Sequence, residues 1–230
     1  MDSGIVTRAL RDGDAPFEVE VSDGAGPNVL FAAGRGGSPA RHAGLIQGLA
    51  HQGCRVMAPH FAPLASPVPT AEELRARTRR MEITLETLAR PGAAVVGIGH
   101  SVGAATLLML AGAEAWTMTR ERLAPGRTDF AQLLLLAPAT DFFRAPGALA
   151  GVVAPLTLWA GGEDRVTQPE KVLLLKDGVR TAVEVFIEDK AGHFTFMDEP
   201  PPNSVEPHPD RPGFLRGLTE RICRIVLGWA

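Results

Sequence analysis

A serine flanked by glycines is the feature of the sequence with the clearest chemical potential. Ser101 lies in Gly99-His100-Ser101-Val102-Gly103, between the apolar segment Ala93–Ile98 and the small-residue segment Ala104–Ala111. A serine hydroxyl becomes an effective nucleophile when a tight strand-to-helix turn exposes it to a base, and such a turn requires neighbours without bulky side chains. We predict that Ser101 is a nucleophile and that the N–H of Val102, at the start of the helix, stabilises an oxyanion. A plain glycine turn without chemistry is the alternative.

An acidic residue follows a later predicted strand. Asp164 lies in Gly161-Gly162-Glu163-Asp164, directly after the strand Leu156–Ala160. A carboxylate on such a loop accepts the N–H of a catalytic histidine and stabilises the imidazolium that forms during attack. We predict Asp164 for this role, with Glu163 and with Asp141, which follows the preceding strand, as alternatives.

A histidine follows the last predicted strand, Thr181–Ile187. His193 lies in Ala191-Gly192-His193-Phe194. Nucleophile, acid and histidine then occur in the order Ser–Asp–His, each after a strand, so His193 is the predicted base for Ser101. A lone loop histidine exposed to solvent is the alternative interpretation.

A glycine-rich loop follows the strand Asn28–Ala33. Its sequence is Gly34-Arg35-Gly36-Gly37-Ser38, and we predict the backbone N–H of Arg35 as the second oxyanion donor and Gly36 as a pocket residue. A phosphate-binding loop does not fit, because no Lys-Ser/Thr follows and Pro39 occupies the third-glycine position of a dinucleotide fingerprint.

The remaining five histidines receive weaker predictions. His100 is predicted to pack at the turn or to form a pocket wall, and His60, which follows a strand end, could line the pocket. We predict His42, His51 and His208 at the surface.

Short runs of Val, Ile and Leu alternate with segments of helical period, which predicts a mostly parallel sheet covered by helices. The predicted strands are Ile5–Leu10, Phe17–Val21, Asn28–Ala33, Arg55–Ala58, Ala93–Ile98, Gln132–Ala137, Leu156–Ala160 and Thr181–Ile187. The predicted helices are Arg41–Gln52, Thr70–Arg90 with a capping box, Ala104–Ala111, Gln168–Asp177 and Phe214–Trp229. The basic stretch Arg75–Arg80 is interpreted as a solvated helix face.

Composition restricts the partners and the compartment. A chain of 230 residues with net charge −3 and no Lys/Arg stripe favours one domain over residues 1–230 and argues against nucleic acid. Met1-Asp2-Ser3-Gly4 does not resemble a signal peptide, and the longest apolar run is too short to cross a membrane. We expect a cytoplasmic protein with reduced Cys54 and Cys223, no metal site and no membrane partner.

At these residues the sequence resembles the α/β-hydrolase superfamily from Asn28 onwards. It is similar to the small lidless branch typified by dienelactone hydrolases and by acyl-protein and carboxyl esterases. The resemblance implies an eight-stranded, mostly parallel sheet with helices on both faces, hydrolysis of an ester-type bond through an acyl-enzyme, and no cofactor. Three positions depart from it: Ser101 replaces the cysteine of dienelactone hydrolases, Ala33-Gly34 replaces a frequent His-Gly, and Pro59-His60 replaces a frequent Pro-Asp.

The resulting hypothesis is a serine hydrolase acting on a small-molecule carboxylic ester or thioester. The alternatives are an acyltransferase or thioesterase on carrier-bound acyl groups, and a ligand-binding protein with little turnover on the same fold. Because the connection between Gln132–Ala137 and Leu156–Ala160 is short, we expect no lid domain and an open, shallow site. The proline-rich segment Glu199–Pro212 is expected to form one wall. The sequence does not indicate the oligomeric state.

Overall fold

The structure is a computed structural model that describes residues 4–66 and 68–228. These residues form ten strands. They are β1 (Ile5–Asp12), β2 (Ala15–Ser22), β3 (Asn28–Ala32), β4 (Arg55–Pro59), β5 (Val95–His100), β6 (Ala115–Trp116), β7 (Arg122–Leu123), β8 (Gln132–Leu136), β9 (Leu156–Gly161) and β10 (Val183–Glu188). Eight of them form one sheet in the order β1-β2-β4-β3-β5-β8-β9-β10. The pairs β1–β2 and β2–β4 are antiparallel and the other five pairs are parallel. The predicted fold class is therefore confirmed.

Helices cover both faces of this sheet. They are α1 (Ala43–His51), α2 (Ala71–Leu88), α3 (Val102–Leu110), α4 (Val172–Gly178) and α5 (Arg211–Val226). Side chains of α2, α3 and α4 join one hydrophobic cluster and those of α1 and α5 join another. Along β8 the leucines alternate between the two clusters, as the two-residue period of a strand requires. No helix among residues 4–66 and 68–228 is at once long and apolar enough to cross a membrane.

The start of α2 agrees with the sequence, but its basic face does not. Glu73 N–H donates to Thr70 Oγ1 and Thr70 N–H donates to Glu73 Oε2, which is the predicted capping box. The interpretation of Arg75–Arg80 as a solvated face is wrong at Arg77, whose exposed fraction is 3%. Arg77 lies three residues after Leu74 and four before Met81, on the buried stripe of the helix.

Several boundaries differ from the predictions. One 3₁₀ turn, Pro39–His42, precedes α1, and a second, Pro169–Lys171, precedes α4. Helix α5 begins at Arg211, because the Asp210 side chain caps it by accepting the N–H of Gly213. The predicted end of the last helix at Trp229, and the first three residues used for the signal-peptide prediction, lie outside the described residues. The β6–β7 pair was not predicted, because strands of two residues carry no periodicity.

Candidate active site

Ser101 occupies a strained turn between β5 and α3. Its φ is 56° and its ψ is −121°, a combination that L-residues rarely adopt. The flanking glycines are sterically required, since a Cβ on Gly103 would lie 2.1 Å from the Ala32 carbonyl oxygen and one on Gly99 would lie 2.8 Å from Ala104 N. The predicted strand-to-helix turn is present, and its glycines allow the close packing of helix on strand.

A continuous hydrogen-bonded chain connects Ser101, His193 and Asp164. His193 Nε2 lies 3.0 Å from Ser101 Oγ, and His193 Nδ1 lies 2.8 Å from Asp164 Oδ2. An ionised carboxylate only accepts hydrogen bonds, so Nδ1 carries the proton and Nε2 is free to accept the serine proton. Both His193 and Asp164 are buried, which shields the pair from competing water. Such an arrangement can remove a proton from a serine hydroxyl and stabilise the imidazolium that results.

The Asp164 carboxylate is held by four donors. Oδ1 accepts the N–H groups of Val166 at 2.7 Å and Thr167 at 2.8 Å, and Oδ2 accepts the Thr167 hydroxyl at 2.7 Å beside His193. Burial alone raises the pKa of Asp164, but the hydrogen bond and charge of His193 and the bonds from Thr167 outweigh it, so the pKa is lowered. Sequence reasoning missed Thr167. Its position three residues after an aspartate in a turn, where Asp side chains accept backbone N–H groups, was the available signal.

The glycine-rich loop lies against the serine. Gly37 N–H donates to the Gly34 carbonyl at 3.1 Å, which closes a turn, and a Cβ on Gly34 would lie 3.4 Å from Ser101 Cβ. Val102 is the first residue of α3, so its N–H has no acceptor within the helix. In the described part of the chain, the Arg35 N–H also bonds to no protein acceptor. Two backbone donors near Ser101 are thus available to a ligand oxygen.

The chain is similar to known proteins in structure and not in sequence. No protein-family model and no curated protein sequence matches the chain. Alpha/beta hydrolase domain-containing protein 10 from mouse matches with TM-score 0.67 at 13% identity, over 96% of this chain and 99% of that one. An esterase from Pyrococcus furiosus matches with TM-score 0.67 at 15% identity, over 99% and 94%. A dienelactone hydrolase from Anabaena variabilis matches with TM-score 0.63 at 17% identity, over 96% and 95%.

The chain has the α/β-hydrolase fold. In this fold a serine nucleophile sits on the strand-to-helix turn that Ser101 occupies here, and an acid and a histidine follow in chain order on later loops. Asp164 follows β9 and His193 follows β10, at the same edge of the sheet as Ser101. At 13–17% identity the likeness concerns the fold, so activity has to be argued from the site.

A mostly apolar cleft of about 640 Å³ opens above Ser101 and His193. This volume is within the range of small-molecule pockets in proteins. The β6–β7 connection contributes Met118, the 3₁₀ turn Asp141–Phe143 contributes Phe142, and the proline-rich segment contributes Pro201. Three of the exposed apolar side chains of the protein line the cleft: Val68, Met118 and Val166.

The structure brings most, but not all, of the predicted site residues to this cleft. Gly36 and His100 line it, whereas His60 does not and instead pairs with Glu20 on β2 at 3.1 Å. Asp141 lines the cleft, but its carboxylate binds Lys171 Nζ at 3.0 Å and the Arg144 guanidinium. Glu163 is exposed, and the carboxylate that bonds to His193 is that of Asp164. Within residues 4–66 and 68–228, no three His, Cys, Asp or Glu side chains are grouped to hold a metal ion.

The surface prediction for His42 is wrong, because the residue is 1% exposed and lies at the cleft wall. His42 Nδ1–H donates to the Phe196 carbonyl at 3.1 Å, and His100 Nε2–H donates to the His193 carbonyl at 3.0 Å. The two rings lie 5.2 Å apart between centroids, and the His100 ring lies 4.9 Å from that of His193. The two buried histidines therefore fix the backbone of the loop that carries the predicted base.

Both rings are neutral at neutral pH. Burial lowers the pKa of His42 to about 4, although its bond to the Phe196 carbonyl opposes this. Burial, followed by the charge of His193, lowers the pKa of His100 well below its ordinary value. The sequence position of His42, three residues before Leu45 and four before Ile46 on the buried side of α1, was the signal for its burial.

We expect acid to destabilise the fold through His42. The unfolded chain protonates His42 near pH 6.5, whereas the folded protein does so near pH 4, so the free energy of unfolding decreases as the pH falls between these values. His42 alone contributes a slope of up to about 1.4 kcal/mol per pH unit in this window. Urea unfolding of wild type and His42→Gln across the window measures it, and the variant should show the smaller slope. His51→Gln, at an exposed histidine, is the matched control, and equal slopes in H42Q and wild type would contradict a buried neutral His42.

Proposed function

We propose that the protein is a serine hydrolase that cleaves a small carboxylic ester or thioester through an acyl-enzyme intermediate. The observation that carries this proposal is the hydrogen-bonded chain from Ser101 through His193 to Asp164 at the floor of an apolar cleft. The fold adds support, since solved structures that share it include an esterase and a dienelactone hydrolase. The fold alone is compatible with many activities, so the proposal depends on the arrangement of the site residues.

The proposed reaction begins with proton transfer from Ser101 Oγ to His193 Nε2 as Oγ attacks the substrate carbonyl carbon. The carbonyl oxygen becomes an oxyanion, which accepts the N–H groups of Arg35 and Val102. His193 then gives its proton to the departing alkoxide or thiolate, and the acyl group stays on Ser101. Water, deprotonated by the same nitrogen, attacks the acyl-enzyme and releases the carboxylic acid. Asp164 remains ionised throughout and stabilises the protonated ring.

The cleft favours a substrate with an apolar acyl or alcohol part. Its walls include Leu64, Phe142, Phe194 and Met197, and burial of apolar substrate area against them contributes about 25 cal/mol per Å². The cleft volume of about 640 Å³ accommodates a small molecule rather than a folded partner.

A fluorophosphonate probe tests the proposal directly on the wild-type protein. We expect covalent labelling of the peptide that contains Ser101, found by mass spectrometry after digestion, and hydrolysis of p-nitrophenyl esters that stops as labelling proceeds. The chain-length preference across an ester panel then reports how deep the acyl site is. Labelling at another residue, or no labelling together with no hydrolysis, would refute the proposal and favour a ligand-binding protein on this fold.

A further inference from the structure

A buried arginine contacts the loop that carries the proposed oxyanion donor. Arg77 extends from α2 beneath the loop, and its guanidinium donates from Nη1 to the carbonyl oxygens of Ala33 at 3.1 Å and Gly34 at 3.0 Å. Nη2 donates to those of Arg35 and Ala62, each at 3.2 Å. Burial lowers the pKa of Arg77 to about 10, so it is still a cation at neutral pH.

The charge of Arg77 is satisfied in an unusual way for a buried cation. Among the described residues no carboxylate lies within ion-pair distance of its guanidinium. Its partners are four backbone carbonyls and the ring of Phe61, whose centroid lies 4.8 Å from Cζ. Buried charges are ordinarily paired with an opposite charge. A buried cation that bonds to three carbonyl oxygens at the start of the glycine-rich loop and one after β4 therefore calls for an explanation.

Peptide geometry links these carbonyls to the amide donors. The Gly34 carbonyl and the Arg35 N–H belong to one planar trans peptide and point in opposite directions. The Arg35 carbonyl and the Gly36 N–H are related in the same way. A donor that fixes the carbonyl oxygen therefore fixes the direction of the N–H, and a charged donor also polarises the peptide and strengthens that N–H.

We propose that Arg77 is a positioning residue for the reaction: its guanidinium orients and polarises the peptides of the glycine-rich loop, among them the Gly34–Arg35 peptide that presents the Arg35 N–H to the oxyanion. This inference rests on the proposed function. Because the oxyanion exists only after nucleophilic attack, the contribution of Arg77 appears in the transition state and not in substrate binding. A purely structural role, in which Arg77 only satisfies loop carbonyls, would affect stability and leave kcat of the folded protein unchanged.

The test compares Arg77→Gln and Arg77→Lys with the control Arg80→Gln. Arg80 lies one turn later on α2 and contacts Asp12 and the Phe17 ring, away from the glycine-rich loop. We expect R77Q to lower kcat for p-nitrophenyl esters by about 10²-fold, as loss of one oxyanion donor does, with KM close to that of wild type. R77K keeps a cation that can reach a carbonyl, so it should recover part of kcat. R80Q should retain the wild-type kcat.

Amide hydrogen exchange supplies a readout that is independent of turnover. Gly37 N–H bonds to the Gly34 carbonyl and Leu64 N–H bonds to the Arg35 carbonyl, so both should exchange faster in R77Q than in R80Q. If R77Q does not fold, R77K is the deciding variant, with reduced kcat and unchanged KM expected. Wild-type kcat in folded R77Q overturns the inference alone, and where R77Q does not fold, wild-type kcat in R77K does so. A wild-type protein without activity or labelling overturns the proposed function, and this inference with it.

Discussion

Replacing Ser101 by alanine is expected to lower kcat for ester hydrolysis by on the order of 10⁶-fold and to abolish fluorophosphonate labelling. The substitution removes Oγ, which is both the attacking atom and the donor to His193 Nε2 at 3.0 Å. The cleft and the backbone donors remain, so any residual rate comes from binding and oxyanion stabilisation alone. Initial rates on p-nitrophenyl esters, with a mock purification to set the background, measure the loss.

The control for this prediction is Ser204→Ala, which removes a hydroxyl that bonds to the Pro201 carbonyl within the proline-rich segment. It should retain the wild-type rate. The double variant Ser101→Ala/His193→Ala should be no slower than Ser101→Ala, because a base without its nucleophile has nothing to activate. Rate losses that add in the double variant, or a Ser101→Ala protein that keeps a substantial part of the wild-type kcat, would show that Ser101 and His193 do not act as one unit.

The sequence predicted the parts of the site that local sterics impose. Gly99 and Gly103 are needed because a Cβ at either position would collide with neighbouring backbone, and that requirement leaves a visible motif around Ser101. Asp164 and His193 could be located because parallel strands bring the loops at their carboxyl ends to one edge of the sheet. Each of these predictions depends on one element and the loop that follows it.

The sequence did not predict the burial of side chains that support the site, because that burial depends on contacts between elements far apart in the chain. Arg77 and His42 are polar residues on helical segments, and a helix pattern with mixed composition predicts a solvent-facing position for them. Their burial is determined by elements distant in sequence, since Arg77 meets carbonyls after β3 and His42 meets the carbonyl of Phe196. Met118, which lines the cleft, lies between β6 and β7, and these two strands are too short to predict from a sequence pattern.

The polar side chains that support the site share a function in the fold. His42, His100 and Arg77 each donate to backbone carbonyls of a loop at the site, and Thr167 donates to the Asp164 carboxylate. A loop without regular structure leaves carbonyl oxygens unpaired, and buried donors from the helices and strands satisfy them. The reacting groups of the proposed mechanism are thus held by buried polar side chains that take no part in the proposed proton transfers.

Asp164→Asn is expected to lower kcat by about 10⁴-fold while the protein remains folded with KM close to that of wild type. The two backbone N–H groups that bind Oδ1 fix the orientation of the side chain, so the amide nitrogen of asparagine would occupy the place of Oδ2 and face His193 Nδ1. An amide N–H at that point stabilises the tautomer with the proton on Nε2, which can no longer accept the proton of Ser101. Rates on p-nitrophenyl esters and thermal unfolding measure both effects.

Glu163→Gln is the matched control, because it makes the same kind of change at the adjacent exposed carboxylate and should leave kcat unchanged. Asp141→Asn tests the remaining candidate acid. Its effect on kcat should be far smaller than that of Asp164→Asn, because the Asp141 carboxylate forms ion pairs with Lys171 and Arg144. A large loss in either of these variants with near-normal turnover in Asp164→Asn would reassign the acid. A loss confined to Asp164→Asn requires that the His193 tautomer, and not the general charge of the cleft, controls proton transfer from Ser101.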